Sequence, residues 1–312
     1  DVQYGGFTSC NINAVTKSGT NEVHGGVFYD YTSDSLRGDS LEGVDLPDSN
    51  FTEKRYGANV GLPIIEDKLF FFASYEKLEG VQLHECPGLN RVTDAELASI
   101  TQISQELYGY DPGGFRTTTP VEDEKLLLKL DWNINENHRA SLVYNYNDGF
   151  RIDQSDDFSS AITYDGHFYE AGAEFTSYVA SVYSDWTDNF STELRIGSSK
   201  LDGRQESLDS DTGFGEVQIR TAAGGTVFLG PDDSRQSNDL NYDTQNFKLA
   251  GTYYLGDHTI TGGIEYENLD IFNLFVQHTV GEYRLIALKI LKQVFLIGFI
   301  ITTRQAQMTL MT

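Results

Sequence analysis

Six histidines, His24, His84, His138, His167, His258 and His278, carry the widest chemical repertoire in this chain, and their spacing argues against most of it. None belongs to an HExxH run, no GxSxG elbow or P-loop occurs, and the six are scattered without the short intervals that metal ligation from one element requires. The sequence therefore predicts neither a catalytic residue nor a metal-ligand set, and no cofactor. The stretch Asp209-Ser210-Asp211-Thr212-Gly213 has the opening of a calcium loop but lacks the later oxygen ligands and the closing Glu, so it reads as a solvated acidic loop. Asp153, Asp156 and Asp157 read the same way, with a bridging divalent ion as the other option. Two cysteines, Cys10 and Cys86, show no CxxC spacing and allow one disulfide at most.

The elements that would position these residues are strands. Eighteen Tyr and 19 Phe stand beside 30 Gly, against only 2 Trp and 6 Pro, a mixture that favours strands joined by glycine-containing turns. A formal charge of -25 excludes nucleic acid as a partner, because phosphate binding needs clustered Lys and Arg. The N-terminus shows no initiator Met and no signal peptide, and the expectation is that the chain starts inside a longer protein.

Alternation is clearest in KLLLKLDWNINENHRASLVYNYN, residues 125–147. Leu126, Leu128, Leu130 and Trp132 share one face, Lys129, Asp131 and Asn133 the other, and after the Asn135-Glu136-Asn137 turn Ala140, Leu142, Tyr144 and Tyr146 resume the apolar face. Residues 247–268 repeat the design around Gly256-Asp257, residues 178–196 around Thr187-Asp188-Asn189, and residues 55–78 less regularly around PIIEDK. Nine strands are predicted at 22–32, 54–62, 68–78, 122–134, 138–148, 174–186, 190–200, 244–255 and 258–270. Their connections alternate between tight turns and the long polar loops 33–53, 79–121, 149–173 and 201–243, which exceed ordinary loop lengths. Short turns on one side, long loops on the other and strands of one apolar and one polar face define an all-β fold, the incomplete antiparallel wall of a transmembrane β-barrel. Tyr29, Tyr31, Tyr56, Trp132, Tyr146 and Trp186 would form its interfacial girdles. A soluble β-sandwich or propeller also has alternating strands, but not this strict alternation of loop lengths.

The tail departs from this character. All 47 Asp and Glu precede residue 284, and residues 285–301 form an apolar run broken by Lys289 and Lys292. A membrane helix after part of a barrel has no physical logic, so residues 284–312 are expected to be the product of a reading-frame slip.

Two runs resemble a known family. YGGFTSCNINAVTKSGTN, with Gly5, Gly6, Ile12, Asn13, Val15, Thr16, Lys17, Ser18, Gly19, Thr20 and Asn21, is similar to the run that closes the plug in TonB-dependent outer-membrane receptors of the Oar-like group. RYGANVGLPIIEDKLFFF, with Gly57, Gly61, Pro63, Ile64, Asp67, Lys68, Phe70, Phe71 and Phe72, resembles the first periplasmic hairpin of the same group. Ser9-Cys10 and Leu62 depart from the family pattern at positions where small residues or glycine are usual. The resemblance implies residues 1–21 as the C-terminal end of a plug, residues 22–283 as the N-terminal part of a 22-stranded barrel, and energy-coupled uptake of a large solute across the bacterial outer membrane. It implies as partners the TonB complex, reached through an upstream region, outer-membrane lipid and lipopolysaccharide, and a solute that could be a peptide, a glycan or a metal chelate. A passive porin or structural surface barrel is the alternative. Loop aromatics Tyr108, Tyr110, Phe115, Phe150 and Phe168 are the candidate solute contacts.

Overall fold

In the computed structural model, residues 15–36, 38, 40–45, 51–84, 86–156 and 158–297 are described. Nine strands form one antiparallel sheet, β1 (His24–Ser33), β4 (Thr52–Ile65), β5 (Leu69–Leu83), β6 (Thr118–Asn135), β7 (His138–Gln154), β9 (Phe168–Thr187), β10 (Phe190–Ser207), β13 (Asn238–Leu255) and β14 (His258–Phe275). They pair in chain order, with β1 and β14 at the edges, so the sheet is an open wall over the described residues. Each of the nine strands expected from alternation is present. The expected ends fall short mainly on the long-loop side, where β9 begins at Phe168 and β13 at Asn238.

Register explains both the apolar band and this extra height. Leu128 faces Tyr144, Tyr144 faces Tyr178, Tyr178 faces Ser198, and the ring centroids of Tyr144 and Tyr178 lie 4.9 Å apart. Leu142, Ile196, Leu249 and Ile264 on this face are exposed, as side chains meeting lipid must be in an isolated chain. Trp132, Trp186, Phe190 and Tyr253 stand near the tight turns, and Tyr29, Tyr56, Tyr75 and Tyr146 lie toward the loop side. Six residues separate Leu126 from Trp132, roughly 20 Å of strand, which suits an apolar band about 25 Å tall. Beyond the upper aromatics the same face turns ionic: Arg204 pairs with Asp148 and Glu170, and Lys200 with Asp202. Charged side chains facing hydrocarbon are costly, so the upper parts of the strands stand in water.

The tight turns are built from local hydrogen bonds. Asn135 Oδ1 accepts from the backbone N–H of Asn137 and His138, closing the β6–β7 hairpin, and Gly256 adopts the left-handed backbone that its two-residue turn requires. At β4–β5 the strand runs through Pro63 to Ile65 with a register shift between them, so the turn occupies only residues 66–68, shorter than the PIIEDK connection expected.

The long loops hold structure that alternation did not predict. Two short strands, β2 (Ser40–Leu41) and β3 (Val44–Asp45), pair in the first loop. The others contribute α1 (Asp94–Tyr108), β8 (Ala161–Thr163), β11 (Glu216–Arg220) and β12 (Thr226–Leu229). With β15 (Glu282–Leu285) and α2 (Leu288–Ile297) they form a cap whose four-stranded sheet runs β15-β11-β12-β8. Its core comprises Ile100, Ile103, Tyr110, Ile162, Tyr164, Val217, Ile219, Val227, Leu229, Leu285 and Leu291. The tail expected to be anomalous thus supplies two core residues as far as Leu291, while residues 298–312 lie outside the described range. Among the described residues, no helix is long and apolar enough to cross a membrane.

The two faces of β6 give a direct test of the wall. Leu128→Arg on the lipid face should cost about 2–4 kcal/mol, and Leu127→Arg on the opposite face under about 1 kcal/mol. Urea unfolding of the full-length protein in liposomes measures both, and equal costs would contradict the assigned faces.

Candidate functional site

Two regions place polar groups where they could act: the segment entering β1, and the cap. Residues 15–21 run along the polar face of the wall near the tight turns. Lys129 on β6, with its side chain 11% exposed, donates from Nζ to Ser18 Oγ at 2.9 Å and to the Thr16 carbonyl at 3.3 Å, with Asp131 at 3.5 Å. Asn21 and Asp67 exchange two hydrogen bonds, Asn21 Nδ2 to Asp67 Oδ1 at 2.6 Å and Asp67 N–H to Asn21 Oδ1 at 2.8 Å. Asp67 holds a left-handed backbone in the β4–β5 turn, and its carbonyl accepts from Asn133 Nδ2, so segment, turn and β6 are tied together.

Gly19 is buried against main chain. A Cβ there would stand 2.5 Å from the Phe71 carbonyl oxygen and 2.7 Å from that of Leu62, so only glycine allows this approach. Thr20 Oγ1 donates to the Glu22 carbonyl, and Lys17 is exposed. Of the ten junction residues anticipated from sequence, Thr16, Ser18, Gly19 and Asn21 contact the wall, while Lys17 and Thr20 lie exposed between them. Gly5, Gly6, Ile12 and Asn13 lie outside the described residues.

The candidate solute contacts behave differently. Tyr110 is 5% and Phe168 1% exposed. Tyr110 stacks on Phe214 at 4.0 Å and donates to Asp209 Oδ2 at 2.5 Å, while Phe168 meets His84 edge-on. Phe115 packs on Tyr164, and Tyr108 donates to the Leu291 carbonyl at 2.6 Å. Phe150 is half-buried on β7 beside Gly172. Tyr110, Tyr108 and Phe115 pack in or against the cap core and Phe168 is buried against His84, so Tyr110 and Phe168 have almost no surface to offer a solute there.

Helix α1 was missed although its start is written in the sequence. Thr93-Asp94-Ala95-Glu96 is a capping box: Glu96 N–H donates to Thr93 Oγ1, Thr93 N–H donates to Glu96 Oε2, and Gly109 closes the helix in the left-handed conformation. These bonds hold the Glu96 carboxyl below its usual pKa, and Glu96 also accepts from the Ala222 N–H.

A second unpredicted feature is a polar cluster in the cap. Ligand-type atoms of Asp156, His167, Glu216 and Asp232 lie within 4.8 Å of one another, and those of Asp233, His278 and Glu282 form a neighbouring group. His167 is fully buried, with Nδ1 3.0 Å from the Gly230 carbonyl oxygen and Nε2 3.0 Å from Asp156 Oδ2. Asp232 accepts from Ser155, the Ser234 N–H and Arg235, and Glu216 accepts from Gln218 at 2.6 Å and the Asp233 N–H at 2.8 Å. Each carboxylate and ring nitrogen of the first group already has a hydrogen-bond partner within the protein. Burial pushes the His167 pKa down, but the Asp156 hydrogen bond and the charges of Glu216 and Asp232 outweigh it, so the net shift is upward. Burial raises Glu216, opposed by His167 and by its own hydrogen bonds. No sequence interval announces this cluster, because its members come from two long loops separated by β9 and β10.

Comparisons with known proteins agree with this geometry. A family model described as an outer membrane beta barrel domain matches residues 15–119. The TonB-dependent transporter Oar of Myxococcus xanthus is 40% identical over 79 residues, 23% of this chain and 7% of that relative. The outer membrane transporter YddB from Escherichia coli superposes with a TM-score of 0.54 at 12% identity, over 81% of this chain and 31% of that one. The matched region is thus a small part of the Oar length, and the fold likeness covers under a third of YddB.

Two measurements probe the site. Gly19→Val should force the segment off the wall at a cost of about 1–3 kcal/mol, read as roughly ten- to hundredfold faster hydrogen exchange in residues 15–21 with β13 and β14 unchanged. Burial, then the Asp209 hydrogen bond, raise the Tyr110 pKa far above its ordinary value of 10.0, so its stabilising contribution is complete below pH 10 and declines as pH climbs beyond it. The urea-midpoint gap between wild type and Tyr110→Phe, followed by near-ultraviolet circular dichroism, should narrow above pH 10.

With its two-faced antiparallel wall, its aromatic girdles and its matched N-terminal third, this chain is part of a β-barrel of the bacterial outer membrane.

Proposed function

We propose that the intact protein is a TonB-dependent receptor that takes up a large solute across the outer membrane by energy coupling. Residues 1–21 are then the exit of its plug into β1. The observation that carries this reading is the seating of Thr16–Asn21 on the polar face of the wall, with Gly19 against the backbone of β4 and β5 and Lys129 holding Ser18. A passive pore needs no chain laid along its lumen, whereas a plug must leave the barrel interior by such a path. The likeness over 79 residues to a relative named as a TonB-dependent transporter supports the same reading.

In this reading Gly5, Gly6, Ile12 and Asn13 continue the plug, and the cap covers the outer mouth. Tyr108, Tyr110, Phe115, Phe150 and Phe168 would then meet solute when the cap opens, since Tyr108, Tyr110 and Phe115 pack in or against its core when closed. The solute could be a peptide, a glycan or a metal chelate, and the TonB complex would be engaged upstream of residue 1.

Single-channel recording on the full-length protein in planar bilayers separates the readings. The intact protein should be non-conducting and deletion of its plug should open a large steady conductance, while capture of purified TonB C-terminal domain by the intact protein should require the upstream region. A large open conductance from the intact protein would establish the passive pore instead.

A further inference from the structure

His167 is a fully buried titratable group that transport as proposed above does not use, and its surroundings restrict its protonation state. Both ring nitrogens face oxygen atoms that can only accept, the Gly230 carbonyl and the Asp156 carboxylate, each at 3.0 Å. A neutral imidazole can donate from one nitrogen only, so the other would point a lone pair at an oxygen. The imidazolium satisfies both contacts and sits among Asp156, Glu216 and Asp232.

These contacts join separate loops. Asp156 follows β7, His167 lies just before β9, Glu216 opens β11, and Gly230 and Asp232 follow β12. The Phe228 ring lies 5.0 Å from the imidazole. The other charges on these elements already have partners: Arg235 pairs with Asp232, Arg116 with Asp165, Arg284 with Glu282, and Asp209 accepts from Tyr110. Asp233 and Glu282 face His278, and His84, just after β5, meets Phe168 edge-on. Arg235 compensates Asp232, which leaves the His167 ring as the cation facing Asp156 and Glu216.

We propose that protonated His167 is a latch that holds the cap closed, and that loss of its proton loosens the cap. The role of the cap as a gate rests on the receptor reading, but the latch itself does not. Because the folded-state pKa of His167 is raised, the latch is fully present below pH 6.5, the ordinary histidine value, and is lost as pH rises through the higher folded value. Keeping pH below 9 leaves Tyr110 out of the titration.

The test is nitroxide mobility in the full-length protein reconstituted in liposomes, with the label at Ala223 on the β11–β12 turn (A223C, with Cys10 and Cys86 replaced by Ser). The mobile spectral component should grow between pH 6 and pH 9, by up to about tenfold for each unit by which the folded pKa exceeds the ordinary one. His167→Gln should abolish the pH dependence, and His278→Gln should leave it intact. A pH-independent wild-type spectrum would overturn the latch, as would a dependence that survives His167→Gln or disappears in His278→Gln. Release of the cap by EDTA at pH 6 would overturn it in favour of a metal ion. Because the wild-type titration needs no variant to fold, and no uptake is measured, failure here is distinguishable from failure of the receptor reading.

Discussion

Hydrocarbon offers no hydrogen-bond partner to a peptide group, and the wall follows from that constraint. Every N–H and C=O inside the membrane must be met by a neighbouring strand, so nine strands pair in unbroken antiparallel order from β1 to β14. A period of two then sorts side chains strictly, and a slip of one residue would put Lys129 and Asp131 into lipid and Leu128 and Leu130 on the polar face. Turn chemistry protects against that slip. Asn135 and Gly256 permit only short reversals, and the register shift at Pro63 absorbs the one irregular connection.

Above the membrane the constraint is lifted and the chain uses different physics. Once the outward face reaches Asp148, Glu170 and Arg204, water supplies partners and strands need no longer be apolar on either side. The loops there bury hydrophobic side chains against one another, as a small soluble domain does. Ile162, Ile219, Val227 and Leu229 are all fully buried, and α1 lays Ile100 and Ile103 against them. Within this dry interior Tyr110 and His167 are desolvated, and their hydrogen-bond partners become decisive for their protonation.

The polar face of the wall and the cap thus present two different kinds of order. On the wall, Lys129, Asp67 and the backbone of β4 and β5 hold a strand-like segment in place through a few directional contacts. In the cap, packing covers Tyr110 and partly covers Tyr108 and Phe115, three of the aromatics that sequence alone suggested as solute contacts. Composition and position singled them out as exposed loop residues, but Phe214, Tyr164 and Leu291, distant in sequence, supply the surfaces that bury or bond them.

Strand count, strand faces and the alternation of turns with long loops were all legible in the sequence, because they depend on residues two apart and on turn residues adjacent to them. Gly19 and Asn21 stood out for the same reason, through a local motif, and their contacts with β4, β5 and the turn between them were not legible. Helix α1 was legible in principle, since Thr93, Glu96 and Gly109 carry its start and stop, yet it was hidden within a loop defined only by its length. The four-stranded cap sheet, with β15 and β8 joined through β11 and β12, was decided by tertiary structure alone. So was the meeting of His167 with Asp156, Glu216 and Asp232. Local sequence determines which face a side chain takes on its strand, but only packing brings together groups separated by tens of residues and removes the water that would otherwise keep them independent.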